Sequence, residues 1–224
     1  MNPLRIAIPK GRLRDRTIGL FKEAGLPMPS QSELRSRKLR FRGANDSLEI
    51  ETMLVKDGDV TVYVDHGVAD LGVAGSDQIL ERDCDLFMPA ELSFGDCRLM
   101  LIGRRGVEPL GRSERVRIAT KYPKIARRAL ADRALQLEVI ELQGSVELAA
   151  VLGLTDYIVD LVETGATIRE NDLVPIETIL EVRPRLIVNK TSYRTRPDLI
   201  LPVIERIREI SQTIEDRSSE GVNA

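Results

Sequence analysis

The 224 residues are enough for one large domain or for two small lobes, each with a full core. Lys and Arg number 33 against 35 Asp and Glu, and the resulting charge of −2, with a pI near 5.7, argues against a general nucleic-acid binder. Hydrophobic residues make up 42% of the chain, which excludes disorder for most of it, while 4% aromatics and no Trp require an aliphatic core. The two cysteines, Cys84 and Cys97, form neither a disulfide framework nor a metal site and read as buried apolar residues. His66 is the only histidine, so a Ser-His-Asp triad would need that one residue, and few nitrogen ligands remain for zinc. No apolar run reaches the roughly 18 residues of a membrane span, and Met1 to Lys10 lacks the pattern of a signal peptide. A soluble, cytoplasmic protein is expected.

Leu4 to Ile8 is predicted as a strand closed by Pro9-Lys10-Gly11, followed by an amphipathic helix through Leu13, Thr17, Leu20, Phe21 and Ala24 that ends at Gly25. Residues 29 to 47 are polar and basic, with Arg35, Arg37, Lys38, Arg40 and Arg42 around Leu39 and Phe41. They read as an exposed strand or loop, a solvated edge or else a surface for a partner or a triphosphate. Leu48 to Val55 is a strand, and a short helix is placed near 56 to 65 although Val60 to Val64 has strand propensity. Asp70 onward is a buried strand ending at Gly75-Ser76-Asp77, where Ser76 or Asp77 would cap the next helix. Glu91 to Arg105 reads as a long extended passage and 104 to 115 as a loop. Further strands are expected at Val116 to Thr120, Leu137 to Leu142, Tyr157 to Val162 and Leu186 to Asn189. Helices are expected from Tyr122-Pro123, over Ser145 to Leu152 and over 196 to 214, with a polar tail fraying from Asp216. This alternation predicts an α/β fold with mainly parallel sheets, preferably in two lobes.

The segment richest in chemistry is Asp160-Leu161-Val162-Glu163-Thr164-Gly165-Ala166-Thr167. A strand delivers two carboxylates, and a Thr-Gly-x-Thr turn then presents backbone N–H groups and two hydroxyls at a helix start, which suits a phosphate monoester. The carboxylates Asp160 and Glu163 suit sugar hydroxyls, so the whole reads as a ribose 5-phosphate cradle. The alternative is a helix capped by Thr164 with no ligand. In Pro9-Lys10-Gly11-Arg12, two cations flank a helix start, where they are unfavourable for the helix and point to an anion such as pyrophosphate; two solvated basic residues remain the alternative. Gly75 would allow close approach to the backbone, although a tight turn capped by Asp77 is the simpler reading, and Lys56 carries the same ambiguity.

Taken in order, these segments resemble the ATP phosphoribosyltransferase family, in its short form. The matching stretches are Ile8-Pro9-Lys10-Gly11-Arg12-Leu13, Asp70 to Asp77, Gly95-Asp96-Cys97-Arg98, Arg117 to Pro123, Gly144-Ser145-Val146-Glu147-Leu148 and Asp156 to Thr167. The resemblance implies two lobes like the type II periplasmic binding proteins, with the active site in the cleft between them. Lobe I would be 1–94 plus 176–224, and lobe II 95–175, carrying the phosphoribosyl loop. It also implies the first reaction of histidine biosynthesis, in which N1 of the ATP adenine attacks C1 of phosphoribosyl pyrophosphate (PRPP) and pyrophosphate leaves with Mg2+. On this resemblance Lys10, Asp160 and Glu163 are catalytic, while Arg12, Lys56, Gly75, Ser76, Asp77, Tyr122, Glu147, Thr164, Gly165, Ala166 and Thr167 bind substrate. No protein-held metal is expected, since Mg2+ arrives with PRPP. The short form further implies a separate regulatory subunit resembling histidyl-tRNA synthetase and a hetero-oligomer, with no nucleic-acid or membrane partner. Two rivals stand beside it: a non-catalytic cytoplasmic ligand sensor of the same fold, and a phosphoribosyltransferase that uses a free base.

Overall fold

A computed structural model describes residues 2–106, 115–133 and 136–220. The chain forms two compact units, one of Met1–Gly95 with Arg183–Ala224 and one of Asp96–Val182. The return crossing therefore lies at Arg183, beyond the expected 175, because one strand runs unbroken from Leu173 to Val182 within the second unit.

In the first unit, with strands counted along the whole chain, the sheet holds β1 (Leu4–Pro9), β2 (Arg40–Ala44), β3 (Glu49–Val55), β4 (Leu71–Gly75), β5 (Phe87–Glu91) and β11 (Pro184–Val188) in the order β2-β3-β1-β4-β11-β5. Its helices are α1 (Arg14–Glu23), α2 (Gln31–Leu34), α3 (Asp57–Asp65), α4 (Ser76–Arg82), α8 (Lys190–Thr195) and α9 (Pro197–Glu220). Leu4, Ile6 and Ile8 share one core with Phe21 of α1 and Ile200, Ile204 and Ile207 of α9. Ala7 belongs to a second core with Val60 and Val64 of α3 and Ile79 of α4. Covered on both faces, β1 is therefore apolar without alternation from Ile6 to Pro9. The helix expected near 56 to 65 is present although its valines favour strands, because Val60 and Val64 pack on the sheet and Asp57 and Asp59 occupy its first turn. The basic stretch contains a short helix and the edge strand β2, with Phe41 buried and its arginines exposed. The tail does not fray at Asp216, since α9 continues to Glu220.

The second unit holds β6 (Cys97–Arg104), β7 (Arg115–Thr120), α5 (Pro123–Leu130), a 3-10 turn (Ala131–Arg133), β8 (Gln136–Glu141), α6 (Glu147–Val151), β9 (Tyr157–Val162), α7 (Ala166–Glu170) and β10 (Leu173–Val182). Its sheet order is β10-β6-β9-β7-β8. Ile125, Ala126 and Leu130 of α5 join the core on one face, and Ala149 and Ala150 of α6 with Ile168 of α7 join the core on the other. Strand β10 was not foreseen, and most of the loop expected over 104 to 115 lies outside the described residues.

The α/β class is present, but the sheets are mixed rather than mainly parallel. The parallel pairs, β1 with β3 and β4 and β7 with β8 and β9, are those linked through helices. Each antiparallel pair involves β2 or one of β5, β6, β10 and β11. Strand β2 turns straight back into β3, and the other four flank the two crossings between units, where no helix intervenes. A direct hairpin such as β2–β3 can only be antiparallel, because parallel neighbours require a crossover connection.

Candidate functional site

In the first unit, β3, β1 and β4 are adjacent and parallel, so their C-terminal ends share one edge of the sheet. This is the edge at which open α/β sheets bind ligands. Pro9 pairs with Val55, and the Lys10 N–H donates to the Val55 carbonyl at 2.8 Å, so the exposed Lys10 and Lys56 leave neighbouring strands together. The Gly11 N–H donates to Asp57 Oδ1 at 2.8 Å, and a Cβ on Gly11 would fall 2.1 Å from Asp57 Oδ2. A larger residue there would displace the Asp57 carboxylate. Helix α3 follows Lys56 and α4 follows Gly75, both without a side-chain cap.

The remaining candidates of this unit are more committed to the fold. Arg12 Nη1 donates to the Gly95 carbonyl. The Ser76 N–H donates to the Arg183 carbonyl at 2.9 Å, and the Arg183 N–H donates back to Ser76 Oγ at 3.2 Å. Asp77 is 3% exposed and accepts from Gln78 Nε2 at 2.9 Å, while Gly75 is buried opposite Pro184.

The second unit gathers an acidic counterpart at the ends of β7 and β9. Thr120 Oγ1 donates to the Val159 carbonyl at 2.7 Å and accepts the Tyr122 N–H at 2.9 Å, which fixes Lys121 beside Asp160. Burial pushes the Asp160 carboxyl above the usual carboxylate range; the Leu161 N–H, at 2.9 Å from Oδ1, and Lys121 oppose that rise, and Glu147 adds to it. Asp160, Lys121 and Glu147 are thus one electrostatic group. Glu163, Thr164, Ala166 and Thr167 are exposed around Gly165, whose φ of +72° only glycine adopts readily. Thr164 Oγ1 accepts the Ala166 N–H at 3.4 Å, Asn171 Nδ2 donates to the Thr167 carbonyl at 2.8 Å, and Arg169 Nη1 donates to the Thr164 carbonyl at 3.0 Å. Tyr122 stands apart: it is 3% exposed and its side chain belongs to the core with Val116 and Ile125.

Two residues of these clusters escaped sequence reasoning. Asp57 is one of them, although an acid opening a helix is a readable signal. Lys121 lies within the stretch Arg117 to Pro123, yet only the pairing of β7 with β9 places it by Asp160. Among the described residues no three His, Cys, Asp or Glu side chains converge as a metal cage would.

A polar cavity of about 690 Å3 lies elsewhere in the first unit, at the opposite ends of β1 and β4; of the residues singled out in the sequence its lining includes Arg42 of the basic stretch and the lone His66, and none of the expected catalytic or substrate-binding residues. Its centre is Asp70, fully buried, which accepts from the Arg5 N–H at 2.8 Å, Arg5 Nη2 at 2.9 Å, Ser192 Oγ at 2.7 Å and Arg196 Nη1 at 2.9 Å. Burial alone would raise its carboxyl, but the bonds from Arg5 and Ser192 outweigh burial and hold it below the usual range. These groups satisfy one another, and the arrangement is structural.

The chain matches the family model described as "HisG: ATP phosphoribosyltransferase" over residues 56–209. It is 40% identical over 210 residues to an ATP phosphoribosyltransferase of Clostridium novyi (strain NT), covering 94% of this chain and 99% of that protein. To an ATP phosphoribosyltransferase of Sorangium cellulosum (strain So ce56) it is 44% identical over 206 residues, covering 92% and 95%. Among solved structures, it is similar to a chain of the "ATP phosphoribosyl transferase (HisG:HisZ) complex from Thermotoga maritima", with a TM-score of 0.78, 34% identity and coverage of 94% and 99%. A mutant of ArgBP from T. maritima, 13% identical with a TM-score of 0.57 and coverage of 98% and 92%, shares the fold alone. The chain belongs to the ATP phosphoribosyltransferase family.

Proposed function

We infer that this chain is the catalytic subunit of an ATP phosphoribosyltransferase, converting ATP and PRPP to N1-(5-phosphoribosyl)-ATP and pyrophosphate at the start of histidine biosynthesis. The observation that carries this reading is family membership over nearly the whole chain, together with two carboxylates set directly ahead of a Thr-Gly-x-Thr turn at the end of β9. The sensor alternative has no comparable support.

Adenine N1 is a neutral lone pair, so its attack on C1 needs no strong base, in keeping with a chain that has one histidine. As the bond from C1 to the pyrophosphate oxygen breaks, positive charge builds on the sugar and negative charge on the leaving group. Catalysis is then a matter of placing fixed charge and holding the reactants in line. In this reading Asp160 and Glu163 hold the ribose hydroxyls, directly or through Mg2+, and face the cationic sugar. Residues 164–167 grip the 5-phosphate through backbone N–H groups and the hydroxyls of Thr164 and Thr167. Lys10, Lys56 and Arg12 meet the phosphates of ATP or pyrophosphate, with Gly75, Ser76, Asp77 and Glu147 as further contacts. Tyr122 supports this machinery from the core. Mg2+ enters with the polyphosphate substrate.

The partner we propose is a separate regulatory subunit resembling histidyl-tRNA synthetase, supported by the name of the Thermotoga complex. Strong histidine inhibition appearing only when that subunit is added would bear it out, and equal inhibition of the lone chain would overturn it. No helix among the described residues is long and apolar enough to cross a membrane. We propose a cytoplasmic location, in keeping with ATP and PRPP as substrates.

Calorimetric titration of the chain with PRPP and Mg2+ tests the site. Loss of one hydrogen bond to a charged group typically costs about 1.5–3 kcal/mol, so Thr167→Val should weaken binding about ten- to a hundredfold. Unchanged affinity would move the phosphate site elsewhere.

A further inference from the structure

The turn at residues 163–167 is exposed, and its own side chains barely hold it. Thr164 Oγ1 reaches the Ala166 N–H only at 3.4 Å, and α7 has no side-chain cap. What grips the turn comes from downstream. Arg169 Nη1 donates to the Thr164 carbonyl at 3.0 Å, and the same nitrogen would lie 3.1 Å from a Cβ on Gly165, so the guanidinium rests against the bare face of that glycine. Among the described residues Arg169 forms no ion pair with a carboxylate. Its charge is therefore not neutralised by the fold, and its remaining N–H groups stay available.

We propose that Arg169 is a positioning residue for the phosphate monoester of PRPP. The proposal rests on the reading of residues 164–167 as the 5-phosphate turn. A carbonyl is the one backbone group in such a turn that repels a dianion. By taking the Thr164 carbonyl as its acceptor, Arg169 turns that repulsion into a charge-assisted bond and adds a positive charge beside the phosphate. It also fixes a left-handed glycine turn before ligand arrives, which lowers the ordering cost of binding. Asn171, bonded to the Thr167 carbonyl, does the same at the other end without a charge. The fork geometry matters as much as the charge, since a lysine offers a point charge in place of a planar set of donors.

The test uses Arg169→Met and Arg169→Lys in the full chain with its regulatory subunit present, with ribose 5-phosphate and pyrophosphate as separate probes of the two ends of PRPP. Arg169→Met should raise the Kd for ribose 5-phosphate and the KM for PRPP about tenfold. The KM for ATP, the Kd for pyrophosphate and the melting temperature should stay near the wild-type values, and Arg169→Lys should recover part of the loss. Wild-type affinity of Arg169→Met for ribose 5-phosphate, or equal weakening of both probes, overturns the proposal. Thr167→Val separates the two levels. If it weakens ribose 5-phosphate binding while Arg169→Met does not, only the role of Arg169 fails; if neither variant does, the phosphate turn itself has been misplaced.

Discussion

The candidate residues of the two units are assembled in opposite ways. In the first unit a basic edge is put together from three strands, with Lys10 after β1, Lys56 after β3 and Ser76 after β4, far apart in sequence and adjacent only because the sheet order is β3-β1-β4. In the second unit most of the acidic and hydroxyl groups sit on one unbroken stretch from Asp160 to Thr167, and the sheet adds only Lys121 and Glu147. A site carried by one segment tolerates error elsewhere in its sheet. A site carried by strand register does not.

This difference can be broken most forcefully at Asp70, where Arg5 of β1 is stapled to the start of β4. Asp70→Ala leaves two arginines, each part-exposed, without their buried partner and should lower stability by about 3 kcal/mol, the lower end for such a loss. Urea unfolding measures it. Because the carboxyl is held below its usual range, that stabilisation is complete above the ordinary carboxylate pKa and is lost as pH falls through the folded value. Wild type and variant should therefore converge in acid; a constant gap down to low pH would contradict the assignment.

Next in size is Gly11→Ala. The added methyl meets the Asp57 carboxylate, which either swings away from the Gly11 N–H or pushes the turn that carries Lys10, and a misplacement of Lys10 costs about 100-fold in kcat/KM, or about 2.7 kcal/mol. Adding Asp57→Ala should recover part of the loss; strict additivity of the two changes would show that the clash is not the cause. A smaller effect of opposite sign is expected at Asp160. Burial raises its carboxyl, so its ionisation opposes folding, and wild-type stability is lost as pH rises through the ordinary carboxylate range toward the folded value. Asp160→Asn should be more stable than wild type at neutral pH, with the advantage gone in acid, even as PRPP binding weakens. A destabilised Asn variant at pH 7 would show that the carboxylate is structural. Smallest is Arg115→Ala, which removes the exposed pair with Glu138 on β7 and β8 and should change stability by less than about 1 kcal/mol.

The same contrast explains what was legible in the sequence. The 160–167 stretch could be read directly because strand, carboxylates, glycine turn and helix follow one another, and its secondary structure agrees with that reading. The burial of Tyr122 could not be read, because a Tyr before Pro looks the same whether its ring faces a ligand or joins Val116 and Ile125. Lys121 and Asp57 were hidden for a related reason: each gains its meaning from a residue on another strand or turn, Asp160 and Gly11 respectively. Strand direction failed where alternation carries no information, at the strands flanking the two crossings. Strand β10 was missed because its exposed and half-buried residues, including Pro175, Glu177 and Glu181, dilute the apolar signal.

The two crossings also set an order of manufacture. The second unit is one continuous run, Asp96–Val182, whereas the first is split around it. Strand β5 pairs with β11, and β11 in turn separates β5 from β4, so the sheet begun by the first residues cannot close until the chain has been made through Val188. Ile200, Ile204 and Ile207 of α9, which fill the same core, come later still. On the ribosome the inserted unit can finish folding while its host still has an open β4 edge and an uncovered apolar face, the features that invite wrong pairing. The unit that begins first is thus the last to be completed, and a nascent chain halted before Pro184 leaves it unfinished.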